Sequence, residues 1–154
     1  MGVRADWLAN SGVAVALRET PWAIPAIQCV HIAAIALLVS SSLLGQMRIA
    51  GWMAVDQPLD RIASWLRPRL RLCIAFLLAT GLLMILSEPN RTLGNPAFWA
   101  KMGAVIFAFG LTEMQIGFAL SGGKIPGWGR PAAYAVLMLW IVAIACGRWI
   151  AYLY

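Results

Sequence analysis

The sequence predicts an all-α, four-transmembrane-helix bundle with a short N-terminal interfacial amphipathic helix. Three observations carry that prediction. Of 154 residues, 62% are hydrophobic and 12% charged, with a mean hydropathy of +0.79, against about 25% charged in an ordinary soluble domain. Four apolar runs, at about 22–47, 70–87, 96–120 and 131–154, approach or exceed the ~20 residues that cross a ~30 Å hydrocarbon layer. Pro, Gly and Asn cluster between those runs, where turns belong. A domain this small leaves about a third of its unfolded surface exposed after folding. Water would not solvate such a surface at this composition, so a cytosolic enzyme and a secreted disulfide scaffold are excluded. Backbone amides in lipid must bond within their own segment, which makes the runs helices and the chain one integral-membrane domain.

The interfacial helix is expected at about 4–19, where Trp7, Leu8, Val13, Val15 and Leu17 are scattered among polar residues. Its longest apolar stretch, Val13–Leu17, is too short for a cleavable signal peptide. Pro21 and Pro25 fit the first turn of span one, where a missing N–H costs little. Pro58 and Pro68 bracket Leu59–Leu66, expected as a separate interfacial segment with Trp65 at headgroup level. The stretch Ser87-Glu88-Pro89-Asn90 ends span two and Asn95-Pro96 opens span three. Gly122-Gly123 and Pro126-Gly127 mark the turn before Arg130-Pro131 and span four. Seven of the eight Trp residues fall near span ends, as an aromatic belt does, and Trp140 falls mid-span. On span three Gly103, Gly110 and Gly117 recur every seven residues near Ala100, Ala104 and Ala108, a pattern of close helix approach.

The net charge of +6 is arranged for a membrane rather than for nucleic acid, because Arg67, Arg69 and Arg71 stand directly beside an apolar run. The loops after spans one and three hold seven basic residues (Arg48, Arg61, Arg67, Arg69, Arg71, Lys124, Arg130). The other side holds five at most (Arg4, Arg18, Arg91, Lys101, Arg148). That bias predicts a multi-pass membrane protein with both termini outside, in the periplasm if the cell is bacterial. Cys29, Cys73 and Cys146 are far apart inside apolar runs and read as small buried hydrophobes.

Ionisable and polar groups inside a membrane are the default functional candidates. His31, the one histidine, lies about 14 Å along span one from Trp22. Gln28, Ser42 and Gln46 fall within about 60° of it on the helix, which gives span one a single polar seam. His31 either hydrogen-bonds another helix, relays protons, or ligates a haem iron or metal or bonds a quinone oxygen. A haem b needs a second axial ligand, for which Met84 is the best chemical partner in the chain. Met84 sits in a stripe with Cys73, Thr80 and Ser87 on span two. A second His31 across a homodimer, or a five-coordinate site, would also serve.

Span three carries Lys101, Thr112 and Gln115 on one face, with Glu113 turned about 120° from Lys101. Glu113 is expected to pair with Arg48 or Arg130. Lys101, Arg148 and Arg91 fall at similar depth, where they could hold a lipid phosphate, a haem propionate or the Glu88 carboxylate; alternatively Lys101 snorkels to the surface. Tyr134, Arg148 and Tyr152 share a face of span four.

Several of these segments resemble a small bacterial inner-membrane family catalogued as a domain of unknown function. The resemblance rests on Pro21-Trp22-Ala23-Ile24-Pro25, on His31 followed seventeen residues later by Arg48, and on Gly45-Gln46-Met47-Arg48-Ile49-Ala50-Gly51. It extends to Asn95-Pro96-Ala97-Phe98-Trp99-Ala100-Lys101, to Trp140 and to Gly147-Arg148-Trp149-Ile150-Ala151-Tyr152. Gln46 stands where the family motif usually has Asp, and Thr112–Phe118 lacks the aromatic-His pair often found there. The resemblance implies a four-helix membrane domain and no particular activity. The expected function is a small membrane subunit that anchors or assembles with partners, as a homo-oligomer or within a membrane complex, and holds a haem b or quinone near His31. The alternative is a proton- or ion-conducting, transporter-like module using His31, Glu113 and the Arg48 region.

Overall fold

The computed structural model describes residues 6–122 and 125–152, with the side chains of all but 6 and 150–152. Seven helices follow in order: α1 (Asp6–Ala9), α2 (Gly12–Glu19), α3 (Ala23–Ala50), α4 (Leu59–Ser87), α5 (Pro89–Leu93), α6 (Pro96–Leu120) and α7 (Gly129–Tyr152). Four of them, α3, α4, α6 and α7, are long and apolar enough to cross a membrane. At 1.5 Å per residue α3 and α4 run about 42–44 Å, longer than a hydrocarbon core, so each projects beyond it. The connections alternate ends, giving an up-down-up-down bundle. Around its perimeter α3 packs on α4 and α7, and α6 packs on α4 and α7.

Local chemistry sets the boundaries. Gly51 closes α3 in the left-handed region (φ 84°), and the N–H groups of Gly51 and Trp52 return to the carbonyls of Arg48 and Met47; glycine adopts that conformation without a Cβ clash. Asn95 opens α6, its side-chain oxygen accepting from the Ala97 N–H at 2.9 Å, with Pro96 in the first turn. The core along the axis is made by Leu38, Leu66, Leu70, Ala104, Val136 and Trp140, among others. Large apolar side chains such as Ile32, Leu72, Leu78, Phe107 and Met138 face outward, the distribution expected when the solvent is lipid.

Of the three cysteines expected as buried, Cys73 is, Cys146 is partly so and Cys29 faces outward, and four further expectations change. Leu59–Leu66 is no separate segment: α4 runs unbroken through Pro68. Pro68 removes only the N–H that would reach the Ser64 carbonyl, and next to that gap the Arg69 guanidinium donates to the Trp65 carbonyl at 2.7 Å. The expected interfacial helix at 4–19 is two short helices broken at Asn10-Ser11. Ser11 caps α2 by accepting from the Ala14 N–H, and Arg18 donates back to the Ala9 carbonyl. Close approach on α6 is made by Ala104 and Ala108, which are buried, while Gly103, Gly110 and Gly117 have open space where a Cβ would stand. Finally, α3 extends to Ala50, a turn past the expected end. Arg4, Gly123, Lys124 and residues 153–154 lie outside the described residues, as does the side chain of Tyr152.

Candidate functional site

Polar side chains meet at three levels of the bundle. At the arginine-rich end, Arg67 and Arg71 lie one helical turn apart on α4 and reach the same carboxylate on α6. Arg71 grips Glu113 with two bonds (Nε to Oε1, 3.1 Å; a terminal N–H to Oε2, 2.8 Å), and Arg67 Nε adds a third at 3.2 Å. The expected partners, Arg48 and Arg130, are not used. Arg48 turns instead to the connecting loop, donating to the carbonyls of Val55 and Gln57. The continuity of α4 through Pro68 explains the difference, because it puts two arginines at i and i+4 facing α6.

From the middle of the bundle to that same end, three hydrogen bonds tie helices together. The Trp140 indole N–H on α7 donates to the Ser42 hydroxyl on α3 at 2.9 Å. The Gln46 amide on α3 donates to the Thr112 hydroxyl on α6 at 3.2 Å, and Thr112 in turn donates to the Ala108 carbonyl. The Gln115 amide on α6 donates to the Gly129 carbonyl at the start of α7, at 3.1 Å. Ser42, Gln46, Thr112 and Gln115 are all buried. Lipid offers no competing partner at this depth, so such bonds favour one packing arrangement.

The third level, toward the opposite end, holds His31. Its Nδ1 lies 2.7 Å from the Thr80 hydroxyl oxygen on α4. That hydroxyl has one proton, and its 2.6 Å contact with the Phe76 carbonyl takes it. Thr80 therefore accepts from His31, the neutral imidazole carries its proton on Nδ1, and Nε2 keeps its lone pair. Gly81 adjoins the ring edge: a Cβ there would stand 3.5 Å from His31 Cε1. Lys101, in the second turn of α6, lies toward the same end of the bundle. Its Cε and Nζ pass 4.0 Å from where a Gly147 Cβ on α7 would be. All four long helices thus contribute to this level: His31 from α3, Thr80 and Gly81 from α4, Lys101 from α6 and Gly147 from α7.

The expected site residues divide accordingly. His31 and Lys101 lie toward the same end of the bundle, and Lys101 is partly buried. The residue that meets His31 is Thr80, one turn short of Met84, which is itself partly buried. Of the polar seam on α3, Ser42 and Gln46 are buried, His31 is half-buried and Gln28 is exposed. Arg148 is exposed near the end of α7. Glu88 is held by Arg91 at 2.8 Å. Among the described residues no three His, Cys, Asp or Glu side chains gather as a metal ion would need. Sequence reasoning had set Thr80 beside Met84 in one stripe; what it lacked was the α3–α4 register that puts Thr80 opposite His31. The pairing of Ser42 with Trp140 carried a fainter signal, the one mid-span Trp.

Four membrane-length helices closed around polar side chains define a multi-pass helical membrane protein. The chain belongs to a family of unknown function, DUF6644, whose model matches residues 22–153. No curated protein and no solved structure matches it.

Proposed function

We propose that the chain is a small subunit of the bacterial inner membrane that anchors or assembles with partner proteins and holds a haem b or a quinone beside His31. The observation that carries this reading is the Thr80 hydroxyl, which fixes the His31 proton on Nδ1 and leaves Nε2 to a ligand. Metal-bound imidazoles use the same arrangement, one nitrogen donating to a protein acceptor and the other ligating. For a haem, His31 Nε2 would bind the iron and the Lys101 ammonium would meet a propionate. For a quinone in its reduced form, Nε2 would accept from one quinol hydroxyl and the Lys101 ammonium would donate to the other ring oxygen. With one histidine per chain, a second axial nitrogen would come from another copy.

The geometry favours this reading over a conducting module. Both Glu113 oxygens are engaged by arginines, so the acid that conduction would use is held as an ion pair. Purified protein is expected to show a Soret band or to release a quinone on solvent extraction, with either signal lost in His31→Ala. A colourless, quinone-free preparation with full helix content would overturn the proposal. Flux of protons or ions into liposomes that depends on Glu113 would favour the conducting module instead.

A further inference from the structure

At the arginine-rich end the loop between α3 and α4 folds back over both helices and leaves an open groove of about 340 Å³, within the roughly 300–1,000 Å³ of ligand sites. Its walls are apolar: Leu44 of α3, Met53 of the loop, and Ile62, Trp65 and Leu66 of α4. The loop is held in shape. Arg48 donates to the Gln57 and Val55 carbonyls at 2.8 and 3.2 Å. Ala54, which also lines the groove, sits at φ 52°, a conformation costly for a residue with a Cβ.

One charged side chain lines this trough, Arg61. The other arginines between 48 and 71 are occupied. Arg48 serves the loop, Arg67 and Arg71 hold Glu113, and Arg69 stacks 3.7 Å over the Trp65 ring while donating to its carbonyl. The Arg61 guanidinium is exposed and makes no hydrogen bond or ion pair among the described residues. The segment 48–71 carries five arginines against two acids, Asp56 and Asp60, so its field favours an anion. An open apolar trough lined also by an unengaged guanidinium and an indole matches a lipid with a charged phosphate and an acyl tail.

We infer that this groove is a specific site for an anionic phospholipid, one acyl chain lying against Leu44, Met53 and Ile62 and the phosphate on Arg61. The test is native mass spectrometry of the detergent-purified full chain titrated with phosphatidylglycerol or phosphatidylcholine. Phosphatidylglycerol adducts are expected to be about fivefold favoured, the scale of one basic residue acting on a net negative headgroup, because the choline of phosphatidylcholine cancels the charge of the same phosphate. Arg61→Gln should bring phosphatidylglycerol down to the phosphatidylcholine level, Arg61→Lys should keep part of the preference, and Leu44→Trp should weaken retention of both lipids by filling the trough. Equal retention of the two lipids by the wild type would overturn the inference. So would an undiminished preference in Arg61→Gln, or cross-linking of Met53→Cys into a dimer that excludes lipid.

Discussion

The contact between His31 and Thr80 can be weighed by Thr80→Val, which keeps the shape of the side chain and removes its hydroxyl. Two bonds disappear, the one from His31 Nδ1 at 2.7 Å and the one to the Phe76 carbonyl at 2.6 Å. The second is a back-bond to the helix's own carbonyl, worth close to nothing or slightly unfavourable. The first leaves the imidazole N–H without an acceptor between two helices, at about 1–2 kcal/mol. Interhelical hydrogen bonds in membranes average about 0.6 and reach about 1.7 kcal/mol, so a pair this short should fall in the upper half of that range. The assay is a double-mutant cycle: reversible unfolding in mixed micelles, followed by helix content, for wild type, Thr80→Val, His31→Ala and the double variant. The expected coupling energy is about 1 kcal/mol, with Thr80→Ser close to wild type. A coupling below about 0.3 kcal/mol, within the additivity of independent sites, would show that the two groups do not share a proton.

Three further outcomes are expected. Glu113→Gln removes the carboxylate shared by Arg67 and Arg71, so its unfolding midpoint should fall. The loss should shrink at high salt because Arg71 is exposed; unfolding at low and high ionic strength checks this. Ser42→Ala strands the buried Trp140 indole N–H and should cost about 1–2 kcal/mol, read from unfolding and from a changed Trp environment in fluorescence. In a cysteine-free background, Asn90→Cys should react with an impermeant thiol reagent added outside intact cells, and Asp56→Cys should react only after lysis; the reverse pattern would invert the proposed topology.

The four crossings were legible because lipid leaves the backbone one solution, and four apolar runs of sufficient length announce it. Pro68 misled for a physical reason. Proline usually ends a helix, yet here it costs one hydrogen bond near an end where Arg69 can serve a neighbouring carbonyl. Pairings between helices were less legible, because they depend on register and rotation that no single segment encodes. Glu113 could be placed near basic residues from depth alone, but choosing Arg67 and Arg71 over Arg48 required knowing that α4 continues and that α6 packs against it. Likewise the stripe holding Thr80 and Met84 was visible, while the one turn that decides whether a hydroxyl or a thioether stands opposite His31 was not.

Because the chain has a single histidine, nitrogen-15 magnetic resonance of protein labelled only in histidine reads one imidazole without ambiguity. With the ring neutral, Nδ1 should give a proton-bearing, pyrrole-type signal and Nε2 a pyridine-type signal, and Thr80→Val should mix the two tautomers. A proton found on Nε2 in the wild type would leave no lone pair for a ligand and would contradict the reading of this site.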